Sequence, residues 1–195
     1  EGVKELRGCE YTVIPDRIEA GTFIIAAAIT NGELHIRNCR LEHLLAVVDR
    51  LRQIGVNIER DNDEVVVSSA RRLEPIEVTS QPYPGFPTDM QAQMMALLSL
   101  ADGNSVITEK IYPDRFMHVA ELSRLGAKLR KEGPIVIVEG TKKLIGAPVM
   151  ASDLRASAAL VLAGLVAKGE TRVNRVYHID RGYDRIERRL RMVGA

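Results

Sequence analysis

The stretch Phe86-Pro87-Thr88-Asp89-Met90-Gln91-Ala92-Gln93, followed by Met94-Met95-Ala96-Leu97-Leu98, decides how this chain is read. It has the form of a helix start, because Thr88 or Asp89 offers a short oxygen-bearing side chain to the free amide N–H groups of a helix beginning at Met90. The same form occurs twice more, with Asp16 ahead of Arg17-Ile18-Glu19-Ala20 and Asp153 ahead of Leu154-Arg155-Ala156-Ser157. Each opening is followed by a glycine at a similar distance: 16 residues from Asp16 to Gly32, 14 from Asp89 to Gly103, and 16 from Asp153 to Gly169. A second interval repeats as well, 23 residues from Gly32 to Gly55, 23 from Gly103 to Gly126 and 25 from Gly169 to Gly194. A repeat of this kind is one supersecondary unit that needs neighbours to bury its apolar face.

Working outward, Tyr11-Thr12-Val13-Ile14 reads as a short strand cut off by Pro15. Phe23 to Ile29 reads as a buried helix closed by Gly32, and Glu33 to Arg37 alternates as a strand. Apolar residues at helical spacing from Leu44 to Ile54 give a second helix ending at Gly55, and Val56–Arg60 with Glu64–Val67 give a hairpin across Asp61-Asn62-Asp63. After the strand Ile76–Thr79 and the proline-rich link 81–87 the order repeats. It runs as helix Met90–Leu100, strand Ser105–Thr108, helix Phe116–Leu125, then a hairpin of Lys128–Arg130 with Ile135–Val138. The third unit runs from Asp153 through a helix to Gly169, a strand Thr171–Val173 and a helix ending at Gly194, and stops before its hairpin. The expectation is a single α/β domain over 1–195, built of helix-strand-helix-strand-strand units at about 15–79, 87–140 and 152–195.

The composition supports a folded core, with 46% hydrophobic residues in 195, and the net charge of +1 exerts no global pull on nucleic acid or membrane. Any anion recognition therefore comes from locally placed arginines. Cys9 and Cys39 are too few for a disulfide framework, and no apolar segment approaches the roughly 18 residues of a membrane span, which fits a cytoplasmic protein. The chain opens with Glu1 and without a signal-like segment, so it reads as a piece of a longer protein.

If three such units pack about a pseudo-threefold axis, their helix starts converge, and Asp89, Arg115, Asp153, Arg155 and Arg181 become the candidate site residues. Arg115 lies just before a helix, where N–H groups and a guanidinium can meet a phosphate or carboxylate, and Arg181 occupies the corresponding loop of the third unit. Arg155 lies in a first helical turn, a poor place for a cation unless Asp153 or an anionic ligand compensates. The plain alternative for each arginine is a solvated surface position or a salt bridge to a nearby carboxylate, and for Asp89 a simple cap. His35, His43, His118 and His178 share no metal-ligand spacing, and no dinucleotide or P-loop glycine pattern and no Ser-His-Asp set is visible, so neither metal nor cofactor is expected.

The stretches around Asp16, from Phe86 to Gln93, Arg115-Phe116-Met117-His118, Asp153 to Ala158 and Tyr177-His178-Ile179-Asp180-Arg181-Gly182-Tyr183 resemble the UDP-N-acetylglucosamine 1-carboxyvinyltransferase family over nearly the whole chain. The resemblance implies the C-terminal half of a two-domain enolpyruvyl transferase, each domain an inside-out α/β barrel with helices inside and sheets outside. It implies phosphoenolpyruvate and UDP-N-acetylglucosamine as substrates, bound between this domain and an N-terminal partner domain. By the same resemblance Asp89 contacts the sugar 3-hydroxyl as general base, and the backbone at Ile111 touches the sugar nucleotide. Arg115, Arg155 and Arg181 face the enolpyruvate and phosphate groups, with Arg181 swinging in on closure, and Asp153 is a second site carboxylate. The family's reactive loop cysteine belongs to the other domain and is not matched by Cys9 or Cys39. Two other readings are the shikimate-pathway enolpyruvyl transferase of the same fold, and a non-catalytic anion-binding or assembly domain.

Overall fold

A computed structural model describes residues 2–69 and 72–195; Glu1 and the pair Ala70 and Arg71, which fall within the first expected unit, lie outside the described residues. Sixteen regular elements follow one another in a recurring order. The first run is α1 (Arg17–Thr30), β1 (Glu33–Arg37), α2 (Leu45–Gln53), β2 (Val56–Asp61) and β3 (Glu64–Ser69). The second is β4 (Glu77–Thr79), α3 (Gln91–Leu98), β5 (Asn104–Thr108), α4 (Met117–Arg124), β6 (Lys128–Glu132) and β7 (Ile135–Glu139). The third is β8 (Pro148–Met150), α5 (Leu154–Val166), β9 (Arg172–Asn174), α6 (Tyr177–Asp180) and α7 (Ile186–Met192).

The first helices of the runs, α1, α3 and α5, all touch one another and form the centre. Their sequences dictate this: every residue of α3 is buried, and α1 and α5 are apolar nearly all round, so no face can be left to water. Gly21 of α1 lets Met90 come so close that an added Cβ would lie 2.8 Å from its Cε. At such density, cutting Leu97 to Ala costs about 2–5 kcal/mol. The second helices, α2 and α4, carry one apolar stripe each; α2 lays it on β2, whereas α4 packs on the central helix α5 and on β6 and β8.

The described residues form three sheets. One is antiparallel, β1-β3-β2, with Ile58 opposite Val67 and Ile36 opposite Val65. The second, β4-β5-β7-β6, is mixed, with β4 parallel to β5 and Ile107 opposite Val136. The third is the parallel pair β8-β9. Buried and exposed positions alternate along β2, β3, β5 and β7, so each of these sheets turns one face inward.

Several local expectations need correction. Residues 11–14 form no strand: Tyr11 and Val13 stand 76% and 80% exposed, since an extended run without a partner ladder has no means of burying either face. The last turn of α1 is closed by Asn31 in the left-handed region (φ 54°), with Gly32 N–H donating to Ala27 O, whereas Gly55 and Gly126 do take positive φ after α2 and α4 as expected. Strand β8 was not foreseen, because three residues after a proline carry too little pattern. The final helix is two pieces, α6 and α7, separated around Gly182, whose added Cβ would lie 2.6 Å from Leu154 Cδ2. The third helix does end where Gly194 takes φ 96°.

Candidate functional site

The site begins at the three helix starts. At α1 and α5 the expected caps form: Asp16 Oδ1 accepts from the N–H groups of Ile18 and Glu19, and Asp153 Oδ1 accepts from those of Arg155 and Ala156, both at 2.8 Å. At α3 neither Thr88 nor Asp89 caps anything. Residues Thr88–Met90 form a single 3₁₀ turn before α3 begins at Gln91, and the two side chains point elsewhere.

Asp89 is held by two cations. Arg115 Nη1 donates to its Oδ1 at 2.6 Å, and Arg155 Nε lies 3.6 Å from its Oδ2. Arg115 Nη1 also reaches Thr88 Oγ1 at 3.3 Å. These are not loose surface pairs, since the arginine side chains are only 20% and 12% exposed. The cation in the first turn of α5 is thus offset by Asp89 from another run, while Asp153 serves the backbone. The Arg155 guanidinium also lies over the Tyr183 ring, 5.4 Å from its centroid, and its Nη1 is buried with no hydrogen-bond partner.

Behind Arg155 a polar chain crosses the centre. The hydroxyl of Thr22 donates to Ile18 O, so the Tyr183 hydroxyl must donate to Thr22 Oγ1, at 2.8 Å, and Gln93 Nε2 donates to the same oxygen at 3.2 Å. Helices α1 and α3 and the loop after α6 thereby share one buried junction.

Ile111 lies in the turn after β5, its side chain 43% exposed and its N–H donating to a carboxylate oxygen of Glu109. Asp89, Arg115 and Arg155 are brought into contact; Asp153 stands at the same helix start as Arg155. Arg181 is not in contact with them: it ends α6, exposed, two residues before Tyr183.

Two ionisable groups beside this cluster were missed by sequence reasoning. Glu109 is fully buried. Burial raises its carboxyl pKa, and hydrogen bonds from Ser80, the Tyr112 and Ile111 N–H groups and Thr88 outweigh that, leaving it below the usual carboxylate range. The signal was present: the alternation that buries Ser105 and Ile107 puts Glu109 on the same face. His118 of α4 is also buried, and desolvation pushes it down to about 4, with Asp153 and Glu109 acting in the raising sense and Arg115 in the lowering sense. Among the described residues no group of three or more His, Cys, Asp and Glu side chains forms a metal site, and no helix is long and apolar enough to cross a membrane.

The profile of the family described as EPSP synthase (3-phosphoshikimate 1-carboxyvinyltransferase) matches residues 1–190. The UDP-N-acetylglucosamine 1-carboxyvinyltransferase of Lawsonia intracellularis is 55% identical over 195 residues, covering 100% of this chain and 47% of the relative. The protein of the same name from Geobacter metallireducens is 57% identical over 194 residues, with 100% and 46% covered. Among solved structures, the enolpyruvyl transferase NikO from Streptomyces tendae superposes with a TM-score of 0.87 at 30% identity, over 95% of this chain and 44% of that one. An EPSP synthase from Acinetobacter baumannii, at 24% identity and a TM-score of 0.64 over 89% of this chain and 44% of that one, shares the fold. The chain spans about half the length of the curated relatives it matches.

Proposed function

Since the chain belongs to the EPSP synthase family of carboxyvinyltransferases, we propose that it supplies one half of an active site that moves the enolpyruvyl group of phosphoenolpyruvate onto the 3-hydroxyl of UDP-N-acetylglucosamine. Phosphate is released, in the first committed step of peptidoglycan synthesis. The observation that carries this reading is the Asp89 carboxylate clasped by Arg115 and Arg155, in a chain 55% identical throughout to a relative named for that reaction. The relatives' names favour the amino-sugar nucleotide over shikimate 3-phosphate as acceptor.

The roles follow from charge. Two guanidiniums against one carboxylate leave local positive charge, and the unpartnered Nη1 of Arg155 suits an oxygen of a polyanion. Phosphoenolpyruvate competes with Asp89 for these cations, and as they turn to its carboxylate and phosphate the aspartate is freed to take the proton of the sugar hydroxyl. The sugar oxygen then bonds to C2 of the enolpyruvyl unit while C3 takes a proton and the C2=C3 double bond becomes single. The tetrahedral intermediate next loses phosphate from C2 together with a proton from C3, which restores the double bond, and the arginines stabilise the departing charge. The N–H of Ile111 is committed to Glu109, so its carbonyl is the backbone atom left for the sugar nucleotide. Arg181 swings toward the phosphate on closure, and Asp153 fixes the N-terminus of α5 under Arg155.

In this reading the three units at 15–79, 87–140 and 152–195 make a single domain of the inside-out barrel type. An N-terminal domain supplies the rest of the cleft. The parent works in the cytoplasm, in cell wall biogenesis and hence cell shape and division, and this chain alone does not turn over. The test is phosphate release by this chain mixed with the N-terminal half, with UDP-N-acetylglucosamine and shikimate 3-phosphate as rival acceptors. Release that needs both halves and the amino-sugar nucleotide supports the proposal. Two associated halves that stay silent while the full-length enzyme works would favour a non-catalytic anion-binding domain.

A further inference from the structure

We infer that Glu109 is a positioning residue that sets the catalytic carboxylate and the acceptor-binding turn in register with one another; this rests on the transfer reading above. Glu109 has no exposed surface and, among the described residues, no cation against it, yet both its oxygens are filled. Oε1 accepts from the Ser80 hydroxyl, from Ile111 N–H at 2.8 Å and from Tyr112 N–H at 3.1 Å. Oε2 accepts from the Thr88 hydroxyl at 2.8 Å and from Gln91 Nε2 at 3.4 Å. A buried carboxylate without a counter-charge is retained only if donors replace its hydration, and here they come from three separate places: the end of β4, the turn that carries Asp89, and the loop that carries Ile111.

The two oxygens divide the work. Oε1 folds the 109–112 loop back on itself and ties it to Ser80, whose oxygen also accepts from Lys110 N–H at 2.9 Å. Oε2 fixes Thr88, the neighbour of Asp89 and a second acceptor for Arg115, and Gln91, whose Nε2 also donates to Arg115 O at 3.2 Å. One carboxylate therefore spaces Asp89 and Arg115 relative to Ile111, holding the Ile111 N–H directly and reaching Asp89 and Arg115 through Thr88 and Gln91.

A Glu109→Gln change separates these halves. Its lone oxygen is best placed on the Oε1 side, where it meets three donors, which turns its NH₂ group toward the donors of Thr88 and Gln91. In the full-length enzyme we expect kcat to fall by about thirtyfold, with KM for UDP-N-acetylglucosamine changed by less than about threefold. Slow hydrogen exchange at the Ile111 and Tyr112 amides should persist. Glu109→Ala should abolish that protection and raise the same KM by roughly tenfold or more. A folded Glu109→Ala protein that keeps the two protected amides, or a Glu109→Gln enzyme with wild-type kcat, would overturn the inference; the latter remains decisive if the alanine variant fails to fold. If the wild-type enzyme released no phosphate with this acceptor, the transfer reading would fail, while the exchange measurement would still judge Glu109.

Discussion

Asp16 and Asp153 each sit one residue before a long central helix and spend a carboxylate oxygen on its backbone, whereas Asp89 stands within a 3₁₀ turn and spends both oxygens on arginines. Three similar openings thus yield two structural caps and one carboxylate given to arginines. The difference arises from helix length. Counted back from its closing glycine, Asp89 is two residues nearer than the other two, so it lies inside the first turn and not ahead of it. An aspartate there is not consumed by the helix N-terminus and remains available to the two arginines.

The largest effect that would break this comparison is kinetic. Asp89→Ala in the full-length enzyme is expected to cut kcat/KM for phosphate release by about a thousandfold, while moving Tm by no more than about 2 °C because no cap is lost. A large fall in Tm with modest kinetic loss would return Asp89 to the capping class.

Next comes a contrast between α2 and α4. Aligned on Gly55 and Gly126, Val47 and His118 occupy the same buried position. A histidine held neutral there, pushed down to about 4 from an ordinary 6.5, binds its proton later than in the unfolded chain. Stability from this group is therefore complete above about pH 6.5 and lost as pH falls toward 4, by roughly 2–3 kcal/mol between pH 7.5 and 4.5. Glu109, held below its ordinary value, loses stability in the same direction at still lower pH. Urea unfolding at the two pH values checks this, and His118→Leu should remove most of the slope.

The smallest effects belong to the caps. Asp16→Ala should cost about 1 kcal/mol in urea unfolding and leave kcat unchanged. For Asp153, serine keeps the cap and removes the charge. Asp153→Ser should hold stability to within about 0.5 kcal/mol of wild type, so any loss of activity reads the carboxylate itself.

How much of this was legible follows from the kind of interaction involved. The central helices were plain because an all-apolar run such as Met94 to Leu98 has only one environment open to it. The caps at Asp16 and Asp153 were plain because capping is local. The pairing of Arg155 with Asp89 was not, since the two lie on different runs and only packing of α3 on α5 joins them. For Asp89 the near-match of 14 to 16 residues was read as sameness, when the missing two residues were the information. Strand propensity at Tyr11–Ile14 misled for the opposite reason, because propensity without a neighbour makes no ladder.

The hydroxyl junction of Thr22, Tyr183 and Gln93 has a consequence for the order in which the molecule matures. Thr22 and Tyr183 are 161 positions apart, so the ring on which Arg155 rests can be seated only after the intervening segment has been synthesised. Asp89 and Arg115 emerge far earlier and can pair by themselves, but their third member stays unsupported until that long loop closes, at an entropic cost that grows only slowly with its length. A chain that stops short of Tyr183 therefore displays the Asp89 and Arg115 pair without the ring that supports Arg155, and the cluster is completed only when that segment folds back.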